Sequence, residues 1–271
     1  MLSIKRCVEL TVLLFCIATL DAAGGLLGIW SIEGSARTSL ILVELMTLVT
    51  LALVSFSVKQ WVSLNAISDL QRVIAWLCFI GLALCICGDI INFNLAREYH
   101  QHGGIVKHDY LATSVLFFGP GYLAFLAAAM LIAQRKKANK IWVLTPLAVG
   151  ALIGFISMQH DLMDRAGFFV TILTGNYAVF MGAFGFCSIS LVVALGGKNA
   201  PITVWIVASG FVLAAIADAI IGHYWLFGNA GQGFYPTVRY VNWVIYIGSQ
   251  CLLIYMPYVY VKSYRVEDHT A

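Results

Sequence analysis

From Val73 to Phe93 the chain is apolar at almost every position, and a single carboxylate, Asp89, interrupts the run. Few structures can accommodate such a stretch. In hydrocarbon every backbone N–H and C=O must find its partner inside the protein, and a helix satisfies them all within one segment. Eight runs of this kind cover 7–30, 38–58, 72–95, 110–133, 141–158, 167–195, 201–227 and 237–261. Each is long enough for a hydrocarbon core of roughly 30 Å. With 61% hydrophobic and 11% charged residues, the chain lacks the polar surface that a soluble domain of 271 residues requires. The sequence therefore predicts an all-α, polytopic bundle of eight transmembrane helices. It forms one integral membrane domain over 1–271, with possible halves 1–134 and 141–271.

The first run admits two readings. Lys5-Arg6, an apolar stretch to Leu20 and then Asp21-Ala22-Ala23-Gly24 follow the pattern of a cleaved signal peptide. Apolarity resumes through Leu26, Leu27, Ile29 and Trp30, which favours a full span. Alternating the spans from a cytoplasmic N-terminus puts eleven Lys and Arg inside and five outside, the bias that sets orientation. Both termini are then cytoplasmic. The densest basic run, Arg135-Lys136-Lys137-Ala138-Asn139-Lys140, separates the halves.

A carboxylate near the middle of a bilayer helix costs about 2.5–3.5 kcal/mol, so its position calls for a reason. Gly81, Cys85 and Asp89 recur every four residues and share one helix face, and Gly210, Ala214 and Asp218 repeat the device in the second half. Both spans run outward, which makes the duplication a parallel repeat. In the eighth span Arg239, Asn242, Tyr246 and Gln250 form a polar stripe that cannot face lipid. Glu44 and Asp21 sit in the outer halves of their spans, and Tyr177 lies at a depth similar to Tyr246. Together these groups predict one wet cavity open to the extracytoplasmic side or leaflet. The competing account is that each merely hydrogen-bonds a neighbouring helix, worth on the order of 0.6 kcal/mol apiece.

Other features carry less chemistry. His100, His102, His108 and Asp109 could approach a zinc ion, but no helical i, i+4 pair is present, so neither a metal nor a cofactor is expected. His223 could help a proton move near the interface. The seven cysteines all lie in or beside apolar segments, and Cys85 and Cys87 point to different sides of a helix. Gly24, Gly28, Gly150 and Gly154 read as helix-contact positions. No phosphate loop, no Gly-x-Ser-x-Gly elbow and no nucleic-acid face is found. Two carboxyls in one low-dielectric site suit hydrolysis of an enol ether: one protonates carbon, and the other activates the water that attacks the oxocarbenium ion.

The motifs resemble those of the YhhN/transmembrane-protein-86 family. Gly88-Asp89-Ile90-Ile91 is similar to its Gly-Asp span, and Ala217-Asp218-Ala219-Ile220 to its Ser-Asp span. Tyr246-Ile247-Gly248-Ser249-Gln250-Cys251-Leu252-Leu253 resembles its Tyr-x-x-Ala-Gln-x-Leu-Ile ending, and Gly121-x-x-x-Phe125 and Tyr177-x-x-x-Met181 also fit, so the likeness spans about 72–254. The sequence departs from the pattern at Cys85 and Ala217, where the family has Ser, and at Ala129, where His is frequent. Nor is there a Lys-Pro at the start of the second span. The resemblance implies an eight-span lysoplasmalogenase that cleaves the vinyl ether of a single-chain lipid. Asp89 and Asp218 would be its acid/base pair, with Tyr177, Tyr246 and Gln250 orienting water or the substrate oxygen. Arg239 would meet the lipid phosphate, and Trp225 and Trp243 an ammonium head group. Glu44 and Asn242 complete the expected substrate-binding set. A proton-coupled or small-molecule transporter and a non-catalytic membrane scaffold are the alternatives, and discontinuous helices at the acids would favour the transporter.

Overall fold

The computed structural model describes residues 2–32, 34–95, 108–158, 168–231 and 236–268; for 108–111, 170, 224–231, 236–237 and 264–268 it describes the backbone alone. Among these residues the protein is all-helical. The helices are α1 (Ile4–Leu26), α2 (Arg37–Asn65), α3 (Asp69–Asn92), α4 (His108–Arg135), α5 (Lys140–Ile156), α6 (Phe168–Ala194), α7 (Ile202–Gly231), α8 (Pro236–Leu253) and α9 (Met256–Asp268). Seven segments are long and apolar enough to cross a bilayer. They are α1, α2, α3, most of α4, α6 and α7, and the composite of α8 and α9. α5, with 17 residues, is a shorter apolar helix.

The expected eighth span is not one continuous helix. It breaks at Ile254 and Tyr255, just before Pro257, whose ring cannot donate to the preceding turn. In the short helix that follows, Val259, Tyr260 and Val261 are all buried. Three successive residues point in directions about 100° apart, so this turn is covered on most sides, while Lys262 after it is exposed. It packs against α2, α3 and α7.

Helix neighbours follow in a closed ring: α1, α2, α3, α4, α6, α7, α8 and back to α1. α5 stands outside it, packed on α6. Glycine makes that contact close. A side chain at Gly150 would strike the backbone of Gly182, and one at Gly154 the backbone of Ala178. Gly81 and Gly121 bring α3 and α4 together in the same way, with the Cys85 thiol against Gly121. Gly28 is different. It has open space around it and φ +70°, so it serves the turn that ends α1 rather than a helix contact.

The ends of two helices are pinned where the site needs them. Arg37, at the start of α2, donates to the carbonyls of Phe93 (3.0 Å) and Asn94 (2.8 Å), capping α3 one turn beyond Asp89. After α1 the chain folds back, with Trp30 Nε1 donating to the Asp21 carbonyl (3.2 Å) and Ile32 N to the Tyr240 hydroxyl (2.8 Å). This ties the 27–36 connection to α8. At the opposite end, Ala138 N reaches the Ala133 carbonyl across Lys137, which holds φ +50° and turns α4 sharply into α5.

Candidate functional site

Every helix of the ring sends at least one polar side chain toward its middle: Asp21 from α1, Glu44 from α2, Asp89 from α3, Tyr122 from α4, Tyr177 from α6, Asp218 from α7, and Arg239, Asn242 and Tyr246 from α8. Asp89 is 5% exposed, and its Oδ2 accepts from the Tyr246 hydroxyl at 2.6 Å. Asp218 is half-buried and accepts from two phenols, Tyr122 on Oδ1 at 3.3 Å and Tyr177 on Oδ2. The two acids lie close enough to interact electrostatically, and the Cys85 thiol is within reach of both.

Phe118 separates the phenols. Its ring stacks on Tyr122 (centroids 6.1 Å) and meets Tyr246 edge-on (6.0 Å). That position exists because Gly88 has no side chain: a Cβ there would lie 2.6 Å from the Phe118 ring. The glycine before Asp89 thus holds an aromatic wedge between the hydroxyls that serve the two acids. Trp243 adds its ring beside Tyr246 at 6.1 Å.

A cavity of about 830 Å³ contains both carboxyls, with walls from α3 through α8. Asp89, Asn92, Ser114, Arg239 and Asn242 make its polar end. There Asn92 Oδ1, Asn242 Oδ1 and Trp243 Nε1 are buried polar atoms with no hydrogen-bond partner among the described residues. Buried groups of this type normally have one, so this end is equipped to accept a polar ligand or water. The remainder of the lining extends along α5, α6 and α7 and is mostly apolar, with Asp218, Tyr177, Thr174, Ser157 and Ser188 among it.

Arg239 lines this cavity, yet its guanidinium is also clamped by Glu44, Nη1 to Oε1 at 2.8 Å and Nη2 to Oε2 at 2.6 Å. Glu44 is 1% exposed and lies behind the wall, and Asp21 is within electrostatic reach of both. Of the residues singled out from sequence, Asp89, Asp218, Tyr177, Arg239, Asn242 and Tyr246 all meet at the cavity. Glu44 reaches it through Arg239. Gln250 does not line it; it is fully buried, its amide without a hydrogen-bond partner among the described residues. One more turn of α8 carries that amide past Tyr246 into the packed interior. His223 is exposed at the rim.

Tyr122 and Phe118 were not singled out, although Tyr122 sits inside the Gly121-x-x-x-Phe125 motif. A phenol in an apolar span needs a partner, and that was the available signal. The His100, His102, His108 and Asp109 set and the Trp225 side chain lie outside the described residues and side chains. Among the described residues no group of three or more His, Cys, Asp or Glu is arranged to hold a metal, and the thiols are free. Compared with known protein families, curated proteins and solved structures, the chain matches none of them.

Proposed function

We propose that the protein is a membrane-embedded hydrolase that cleaves the vinyl ether bond of a lysoplasmalogen-like, single-chain lipid. The observation that carries this reading is the pair of carboxyls, each held by phenols, that line one largely apolar cavity. Asp218 receives a hydrogen bond on each oxygen, the pattern of an acceptor-only carboxylate, and is the base. Asp89 is the acid. It transfers its proton to the vinyl carbon remote from oxygen, leaving an oxocarbenium ion. Water deprotonated by Asp218 adds to the carbon next to oxygen, and the resulting hemiacetal collapses to an aldehyde and the glycerol alcohol. Arg239 faces the phosphate, with Glu44 fixing the orientation of the guanidinium, and Asn242 and Trp243 contact the head group.

The same reading includes eight spans, a cytoplasmic side bearing Arg135 through Lys140, and two parallel repeats. Favouring the repeat, Asp89 of the first half is bonded by Tyr246 of the second, while Asp218 of the second is bonded by Tyr122 of the first. The helices that carry the acids are unbroken, and the break after Leu253 lies away from both, an arrangement that favours a fixed catalytic pair over a carrier. The deciding experiment supplies purified protein in liposomes with a lysoplasmalogen and measures aldehyde, using an ordinary lysophospholipid as control. Aldehyde release from the vinyl ether alone is expected. Its absence with correctly folded protein refutes the proposal.

A further inference from the structure

The position of α5 outside the ring has a chemical consequence. With α7 on its other side, α6 becomes the floor of a trough that opens toward lipid. Ala178, Gly182, Gly185 and Ile189 of α6 line it, the two glycines at the points where α5 and α7 press closest on the helix. Ile153 of α5 forms one wall, and Val212 and Ile216 of α7 form the other; these three and Ile189 are 40–48% exposed. The trough is continuous with the space that holds Asp89 and Asp218. From Tyr177 to Ile189 it follows α6 for about 18 Å at 1.5 Å per residue.

We infer that this trough is the alkyl-chain subsite: a single-chain amphiphile lies along α6 with its chain between Ile153 and the Val212–Ile216 edge and its polar end at Asp89 and Arg239, reaching the acids sideways from the bilayer. The inference rests on the lipid-hydrolase reading for its ligand class and adds the residues that seat the chain. Three features support it. Between α5 and α7 the cavity lining is predominantly apolar along α6. The walls at Ile153, Val212 and Ile216 are branched aliphatics. The exposed Ile153, Ile189, Val212 and Ile216 leave that side of the bundle as a route for a long apolar chain. Bulk lipid would cover an ordinary apolar face, but here the covered face leads into a charged site.

The test uses a saturated 1-O-alkyl lysophosphocholine carrying a diazirine at the chain end, which has no vinyl ether to cleave. In proteoliposomes, photolabelling is expected to concentrate near Ile189 and Val212 and to be competed by excess unlabelled saturated ether lipid. Ile216→Trp fills the trough and is expected to weaken that competition about tenfold or more, the size of an overpacking penalty. Ile206→Trp, on the same helix but away from the cavity, is expected to change it by no more than about twofold. Labelling spread over lipid-facing positions such as Leu123 and Ile206, without competition, overturns the inference. So does equal sensitivity of the two Trp variants. The two proposals fail separately. Competed labelling without aldehyde release leaves the trough standing and removes the hydrolase, whereas aldehyde release with uncompeted labelling does the reverse.

Discussion

The Glu44–Arg239 pair offers the sharpest energetic test, because its two ends are not equivalent. Unit charges about 4 Å apart attract by about 4 kcal/mol at an effective dielectric near 20, and this pair is bidentate and largely withdrawn from solvent. Removing one partner of such a pair typically costs about 3–5 kcal/mol, since the other charge is left buried. The surroundings make that cost asymmetric. Arg239 has Asp21 and Asp89 within electrostatic reach as well as Glu44, so Glu44→Gln leaves the guanidinium near other carboxyls. About 1–2 kcal/mol is expected, toward the low end for a charged hydrogen bond. Arg239→Met removes the cation that faces three carboxyls, and the full cost of about 3–5 kcal/mol applies. The double variant is expected to lie between the two, having lost both the attraction and the stranded charge. Thermal unfolding in mild detergent, followed by tryptophan fluorescence, gives the order of the midpoints. If Glu44→Gln melts as low as Arg239→Met, the pair is not embedded among acids in the way described.

Three further outcomes are expected, two from the geometry and one from the charge bias of the connections. Asp89→Asn and Asp218→Asn each lower aldehyde release by about 100- to 10,000-fold with near-native melting, and near-wild-type turnover in both variants would sink the acid/base assignment. Gly88→Ala drives a methyl group into the Phe118 ring, costs about 1–3 kcal/mol and reduces activity, while Phe118→Leu added to it restores part of the loss; a silent Gly88→Ala would refute the wedge. Lys137→Cys, in the turn between α4 and α5, is modified by a membrane-impermeant thiol reagent only from the cytoplasmic side; modification from outside reverses the orientation.

The helices themselves were legible because hydropathy reports backbone chemistry: an apolar run of bilayer length has almost no alternative to a helix. Their arrangement was not. Nothing in the composition of α5 distinguishes it from its neighbours except its shorter length, yet it stands outside the ring. Gly150 and Gly154 identify a close contact without naming the partner, which only the packing reveals as Gly182 and Ala178. The break after Leu253 was partly visible in Pro257. That the short helix beyond it packs back onto α2, α3 and α7 depends on contacts with distant helices.

The site was legible to the degree that burying a polar group is costly. Asp89, Asp218, Arg239 and Tyr246 stood out because each is expensive in hydrocarbon, and all four line one cavity. Cost alone cannot say what a polar group faces. Gln250 belongs to the same stripe as Tyr246, yet a straight helix that passes a cavity of limited depth leaves it beyond the end. Tyr122 escaped notice for the opposite reason: a phenol is cheap enough in a bilayer to raise no alarm, although its hydroxyl reaches Asp218. Gly88 was read as part of a motif, but its reason is steric and lies on α4, in the Phe118 ring that occupies the missing side chain's place. Residues that act by lacking a side chain, such as Gly88 beside Phe118 and Gly182 against Gly150, show their reason only once the neighbour that uses the space is known. The sequence therefore exposes the charged half of a membrane site more readily than the small residues that shape it.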